Sequence, residues 1–574
     1  MDFKIMARKF YQYILKRGSG AGLVFLVAIF FWIYLFLYRN PSVTQLPQVE
    51  QNGEKLPAYL VLNQPDEAVN YWFIRALALG SRTGIPLELQ SIVPQKIHPR
   101  STTIVDDMLV PIGFPGIILL YGSLLSVLMR AVPWYWFNVL AVSITPLLGA
   151  LAPLLLYVLT RRFFDRSVAL VSAVLLWIQP AWWYYSSRPF QHHILLLFLL
   201  LCTLNACAYV CTRSFARGPR AVWWLVTGLL WGLTLYIRPV EVVWVSTLMC
   251  AFLYAYRARW DKKDLVPLAA GLCVAGAIFL ATNSLYYGTP FGTGYVQPNA
   301  AGQAGTVLAS SAGLGGRGIL SVITLPFGFH PANIWYNFKA YAYHLSGLWF
   351  WFFFASIGYL IYEWRAKIIN RRIVWCACAL GALGAYLFAY YGSWMFFDNI
   401  IHTPSIGSSY MRYFLPIALL SVVVIAYALV RVGRNGFVFR AGVALAVVLL
   451  SLSSYTIVFA PLEGLASIKH TVEGYYFVRE TLREQLPVNA VVVTRYADKY
   501  LFPHFQTLVS WSAEDDWQAI EKLRARGVSV FWYEVPMKET EKNQVAQFLS
   551  ANHLRMSPVL FVWDGLELRE IVKQ

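Results

Sequence analysis

The sequence predicts a mainly helical, polytopic membrane protein of about eleven spans with a small α/β domain at its C-terminal end. Three observations predict it. Of the 574 residues, 58% are hydrophobic and only 13% are charged, roughly half the charged share of an ordinary soluble chain. Apolar runs of the ~20 residues needed to cross the hydrocarbon layer recur from Gly20 to Ala460. Beyond His470 the runs shorten and alternate with polar stretches of helical spacing.

The first run, Gly20–Tyr38, follows Lys4, Arg8, Lys9, Lys16 and Arg17 and continues through Trp32, Tyr34 and Tyr38 into Arg39. A cleaved signal peptide would have a shorter apolar core followed by small residues, so this run reads as a retained span with a cytoplasmic N-terminus. The next run, Pro111–Met129, contains Pro111, Gly113, Pro115, Gly116 and Gly122, residues that weaken a regular helix. If it crossed, every later basic cluster would fall outside. Read as interfacial or re-entrant, it leaves 22 of the 47 Lys and Arg on one side, in the N-terminus, 161–166, 213–220, 257–263, 365–372 and 431–440. That is the positive-inside pattern.

The spans then run 20–38, 137–160, 167–185, 193–212, 222–237, 239–256, 264–282, 346–363, 373–391, 413–430 and 441–460. This divides the chain into a membrane domain, 1–465, and an extracytoplasmic domain, 466–574, at the plasma (inner) membrane. In the latter, Ala490–Thr494, Val528–Tyr533 and Pro558–Val562 read as strands, and Asp515–Arg526 and Glu539–Asn552 as helices.

The net charge of +18 does not imply nucleic acid, because its basic residues sit in short connections, where they encode topology. The seven cysteines all fall in apolar runs, which argues against a disulfide framework. Cys207 and Cys211 share a helix face and read as small buried hydrophobes. On this topology all nine histidines lie on the outer side, together with Asp66, Glu67, Glu88, Asp106, Asp107, Glu241 and Asp398. An ion-coupled transporter would keep ionisable groups near the midplane, and this chain has almost none there.

Within Asn63-Gln64-Pro65-Asp66-Glu67, Pro65 suits the first turn of a helix. Asp66 and Glu67 either complement that helix's dipole or stand as a base and its support. Arg238 and Glu241, three apart, are placed to pair with each other. Arg412, at the start of a late span, either anchors the interface or binds phosphate in a bidentate manner. The loop Asn283–His344, rich in Gly, Ala, Ser and Pro and including Gly313–Gly318, is long enough to imply function or mobility.

An acidic Asp-Glu pair after one span resembles the GT-C superfamily of polyprenyl-phosphate-dependent glycosyltransferases, among them protein O-mannosyltransferases and lipid A aminoarabinose transferases. Further segments resemble the family in the same order. They are His98-Pro99 with Pro111-Ile112-Gly113-Phe114-Pro115, Arg161-Arg162-Phe163-Phe164, Ser186-Ser187-Arg188, and Tyr410-Met411-Arg412-Tyr413-Phe414-Leu415-Pro416. One departure stands out: where the family has an Asp five residues after the Arg, this chain has His193, next to His192. A histidine does not replace an anionic ligand one for one.

The resemblance implies transfer of a sugar from a polyprenyl-phosphate-linked donor to a lipid, glycan or protein acceptor at the outer face. It makes Asp66 and Glu67 the catalytic pair. It makes Arg188, His192, His193, Lys339, Arg412, Asp106 and Asp107 substrate-binding candidates, with Arg317 a further phosphate contact. A divalent metal is left open: Asp66, Asp106, Asp107, Asp398 and the outer histidines offer oxygen and nitrogen ligands, but no spacing defines a site. The alternative is a transporter or export component for lipid-linked saccharides.

Overall fold

The computed structural model describes residues 20–37, 43, 48–51, 54–80, 85–294, 324–368, 371–396, 402–434, 436–510, 514–535 and 539–574. The N-terminal basic cluster, residues 313–318 with Arg317, and Asp398 lie outside them. The chain forms two compact units, one of residues 1–39, 142–276 and 316–467, the other of 40–141, 277–315 and 468–574.

Among the described residues, six helices are long and apolar enough to cross a membrane, and two bent pairs raise the number to eight. Three shorter apolar helices accompany them, Gly22–Phe36, Gly116–Leu128 and Pro239–Ala255. Gly116–Leu128 has 13 residues, a rise of about 20 Å, short of the ~30 Å hydrocarbon core.

In the first unit, residues 167–185 form a broken element, Arg166–Ile178 and Pro180–Ser187, bent by 57°. Asp165 starts the first piece, its carboxylate accepting from the amides of Ser167 at 2.9 Å and Val168 at 3.1 Å. Pro180 has no amide to continue the ladder. Gln179 starts the second piece instead, its Oε1 accepting from the Trp182 amide at 2.7 Å. A second bend, of 100°, separates Pro331–His344 from Leu348–Arg365. There Gly347 has φ +55, which glycine adopts without a Cβ penalty.

The helices Arg217–Ile237 and Leu265–Tyr287 approach at backbone distance. A Cβ on Gly228 would lie 2.0 Å from the Leu268 carbonyl oxygen, and one on Gly271 2.2 Å from that of Leu225. Gly228 and Gly232, four apart, form the small-residue face on which membrane helices pack closely.

Several basic clusters gather at one end of this unit. Arg162 donates to Thr212 Oγ1 at 2.9 Å, Arg220 to the Arg259 carbonyl at 2.9 Å, and Arg434 to Asp165 at 2.5 Å.

In the second unit the strand order is Phe561–Trp563, Leu566–Lys573, Val530–Glu534, Val491–Thr494, Gln506–Val509, with Leu554–Met556 also paired to Leu566–Lys573. Val491–Thr494 runs parallel to both its neighbours, and the remaining pairs are antiparallel. Val491–Thr494 and Val530–Glu534 are buried at every residue, as valine-rich central strands covered on both faces should be. Trp517 stacks on Trp532 with centroids 5.3 Å apart. Their core also takes in Val93 and Ile97, from the segment that follows the first span.

The same unit contains a three-stranded antiparallel sheet, Ile85–Pro86, Met108–Pro111 and Thr102–Val105. It also contains the helix Pro65–Ala78, which packs on Gly116–Leu128. A Cβ on Gly122 would meet Leu77 Cδ2 at 2.8 Å.

Candidate active site

In the second unit the acidic pair opens the helix Pro65–Ala78. Pro65 occupies its first turn and Gln64 its N-cap. Glu67, 1% exposed, accepts the Gln64 amide at 3.2 Å and so closes the helix start. Asp66 is only half-buried, and its Oδ1 accepts from the Ser101 hydroxyl at 2.7 Å. The two carboxylates therefore differ in setting: Glu67 is buried in the helix cap and Asp66 is half-buried beside Ser101.

Ser101 is held in turn by its neighbours. Arg100 donates through its amide at 2.7 Å and its Nε at 2.9 Å to Asp498, which is fully buried. The Arg100 Nη2 reaches the Tyr496 carbonyl at 2.8 Å. Thus Asp498, near the end of the Val491–Thr494 strand, fixes the segment that presents the Asp66 partner. Nothing in the sequence pointed to Ser101 or to this anchor.

Asp106 and Asp107 form the two-residue turn between Thr102–Val105 and Met108–Pro111, with φ 49 and φ 60. Two consecutive residues at positive φ are what a type I′ hairpin turn demands, and Asp is among the residues that tolerate it. Both are exposed. The turn alone accounts for the residue type at these positions.

In the first unit, a second constellation gathers around Tyr413. The Arg238 guanidinium lies 5.4 Å from the Tyr413 ring centroid and that of Arg412 also 5.4 Å. The His193 ring is at 5.4 Å and the Tyr391 ring is stacked on it at 4.5 Å. These residues meet because the helix His192–Thr212 begins where Arg217–Ile237 ends, and Leu415–Gly433 begins just after Arg412 and Tyr413.

Arg238 Nε donates to Glu241 Oε1 at 3.0 Å, so the pairing expected from their spacing is present. Trp244 Nε1 donates to Glu241 Oε2 at 2.5 Å, and the Tyr391 hydroxyl also donates to Glu241. Glu241 is thus a fully engaged buried carboxylate. Arg412 donates to Ser409 Oγ at 2.8 Å. His193 is 3% exposed and its Nε2 meets no hydrogen-bond partner among the described residues; His192 is half-buried in the first turn of the same helix.

Two guanidiniums and an imidazole around one tyrosine ring are suited to a phosphate, for which planar arginine forks supply paired donors. The sequence reading did not single out Tyr391 or Trp244, although Tyr413 stood inside a quoted motif.

Arg188 is fully buried. It donates to the Tyr184 hydroxyl at 3.0 Å, while Tyr185 donates to the carbonyls of Ile406 at 3.1 Å and Ser408 at 2.8 Å. The bend at Pro180 sets this row of side chains against the loop before Arg412.

Lys339 lies in a π-helical turn, Phe338–His344, a distortion that recurs at functional sites. It lines a cavity of about 440 Å³ with Tyr336, Ala340, His344, Leu345 and Pro404. Among the described residues, no three His, Cys, Asp or Glu side chains gather where they could hold a metal ion.

Residues 137–284 match the family described as dolichyl-phosphate-mannose-protein mannosyltransferase. The structure is similar to ArnT from Cupriavidus metallidurans in the apo state, with a TM-score of 0.52, 12% identity, and coverage of 96% of this chain and 98% of that one. The likeness to ArnT extends over nearly the whole chain and shows a shared fold. ArnT bound to undecaprenyl phosphate matches with the same score, identity and coverage. The oligosaccharyltransferase of Archaeoglobus fulgidus in the apo form matches at TM-score 0.50 and 16% identity, covering 90% of this chain and 70% of the other. No curated protein matches by sequence.

Proposed function

We propose that this GT-C chain transfers a sugar from a polyprenyl-phosphate-linked donor to a lipid, glycan or protein acceptor at the outer face of the membrane. The observation that carries the reading is Asp66. It is a half-buried carboxylate at a helix start, oriented by the Ser101 hydroxyl at 2.7 Å, on a chain whose GT-C likeness covers 96% of its length. The solved ArnT complex with undecaprenyl phosphate supports the same donor chemistry here.

In this reaction Asp66 takes the proton of an acceptor hydroxyl while the acceptor's oxygen forms a bond to the anomeric carbon. The bond from that carbon to the phosphate oxygen breaks, and the electron pair leaves with the polyprenyl phosphate. Attack opposite the leaving group inverts the anomeric centre. Phosphate leaves readily, so no strong acid is required. Charge grows on the departing phosphate, and fixed guanidiniums stabilise it most where it grows. Arg412 is assigned that role, with Arg238 and His193 beside it around Tyr413. Glu67 supports the Asp66 helix, and Lys339 and Arg188 are further binding residues. The division into a membrane part, 1–465, and an extracytoplasmic part, 466–574, with a cytoplasmic N-terminus at the inner membrane, belongs to the same proposal.

The test is direct transfer. Purified full-length protein in lipid nanodiscs, given polyprenyl-phosphate sugars labelled in the sugar and a panel of lipid, glycan and peptide acceptors, should release free polyprenyl phosphate and a labelled product with inverted anomeric configuration. Failure with every polyprenyl-phosphate donor, in protein that retains its fold, would contradict the reading.

A further inference from the structure

The second unit holds a concentration of buried positive charge that the glycosyl-transfer reading does not use. Its centre is Tyr59. The Arg75 guanidinium stands 4.4 Å from the Tyr59 ring centroid, the His504 ring meets that ring edge-on at 6.1 Å, and Arg479 Nη1 donates to the Tyr59 carbonyl at 2.8 Å. Arg75 is 3% exposed and Arg479 1%.

The partners of these cations are mostly neutral. Arg75 Nη1 donates to the Pro57 carbonyl at 2.6 Å and to the Tyr71 hydroxyl at 3.1 Å. Arg479 has one carboxylate neighbour, Glu480 at 3.0 Å, which also pairs with Arg483 at 3.0 Å. Among the described residues no carboxylate pairs with Arg75. Arg479 turns its Nε and Nη2 to Glu480, at 3.1 and 3.0 Å, whereas Arg75 Nε and His504 Nε2 beside Tyr59 are buried and lack a hydrogen-bond partner among those residues.

Buried charge without a counter-charge is costly, and buried polar atoms normally have partners. Burial, with the nearby Arg479, Arg483 and Arg75, pushes His504 down to about 3, and burial lowers Arg479 as well. All of these groups would gain from one anion.

We propose that Arg75, Arg479 and His504 form a binding site for a phosphate-class oxyanion beside Tyr59. Three donors from three segments of the chain suit a tetrahedral, multiply charged ligand, and charge-assisted hydrogen bonds to it are the strong kind. Arg75 closes the helix that Asp66 opens. Nine residues at 1.5 Å each separate them by about 14 Å along the axis. The anion is either a free phosphate or the phosphomonoester head of a lipid. The site stands on its own residues and does not depend on the transfer reaction.

Thermal unfolding of the detergent-solubilised full chain at fixed ionic strength tests it with inorganic phosphate against chloride. Phosphate should raise Tm saturably. His504→Phe and Arg479→Gln should each weaken the apparent phosphate affinity by about tenfold, the loss of one charge-assisted contact. In chloride alone Arg479→Gln loses its ion pair with Glu480 and its bond to the Tyr59 carbonyl and should lower Tm, so the deciding readout is the phosphate-dependent rise in Tm and not the baseline; a purely structural arginine would leave that rise unchanged on removal. Nanodiscs of phosphatidylcholine with and without phosphatidic acid distinguish the sources. Stabilisation by phosphatidic acid that inorganic phosphate cannot compete away identifies the headgroup, and stabilisation by phosphate alone identifies the free ion. A wild-type Tm indifferent to both, or a phosphate response unchanged in both variants, would overturn the proposal.

Discussion

At the residue scale the Arg238–Glu241 pair organises the surroundings of Tyr413. Glu241 accepts from Arg238, Trp244 and Tyr391, so it neutralises one arginine and locks two aromatic side chains. Replacing it with alanine would leave Arg238 buried without a counter-charge and two donors without an acceptor. Such losses cost about 3–5 kcal/mol, and Glu241→Ala should show a large fall in Tm together with reduced yield. Glu241→Gln keeps one acceptor oxygen and should fall less. Equal stability of Glu241→Ala and wild type would mean that the pair carries no structural weight. The spacing of Arg238 and Glu241 made their pairing readable from sequence. The stacking of Tyr391 on Tyr413 was not readable, because it depends on how two helices distant in sequence meet.

At the element scale the hairpin Thr102–Pro111 separates two readings of its acidic tip. If Asp106 and Asp107 serve the turn alone, the pair Asp106→Asn with Asp107→Gly, the preferred chemistry for a type I′ turn, should keep both Tm and transfer rate. Asp107→Val, forcing a β-branched residue to positive φ, should lose about 1–3 kcal/mol. Transfer lost by the double variant at unchanged Tm would return these carboxylates to the substrate site. The helices and strands of the C-terminal part were largely evident in their periodicity. Glu514–Ala525, Glu539–Ala551 and Val491–Thr494 lie within a residue or two of the segments predicted. Gln506–Val509 and Leu566–Lys573 were missed: the first is short, and the second carries Glu567, Arg569 and Glu570 among its apolar residues. The break at Gln179–Pro180 was hidden because apolar residues continue on both sides of it, so hydrophobicity alone reads one span.

At the scale of the whole molecule, the chain's membrane character followed from hydrophobic length, and the proposed sidedness rests on the basic clusters. The Arg434–Asp165, Arg162–Thr212 and Arg220–Arg259 contacts place four of those clusters at one end of the first unit, as a shared cytoplasmic face requires. A reporter fused after Arg166 should therefore be cytoplasmic, and an extracytoplasmic signal would invert the proposed topology. What sequence could not supply was long-range packing. Val93 and Ile97 share a core with Val491, Trp517 and Trp532, and Arg100 is bound to Asp498, across about 400 residues of intervening chain. Periodicity reports which face of an element is buried and says nothing about its distant partner.

Asp66 remains the centre of the account, because it is half-buried at the helix start and is aimed by a hydroxyl from another segment. The decisive measurement is single-turnover transfer from labelled polyprenyl-phosphate sugar by Asp66→Asn protein, at matched abundance and with donor binding measured in parallel. The account predicts donor affinity close to wild type and transfer slowed by about a hundredfold or more, the usual contribution of a positioned base. Transfer at the wild-type rate would remove Asp66 from the chemistry and contradict it.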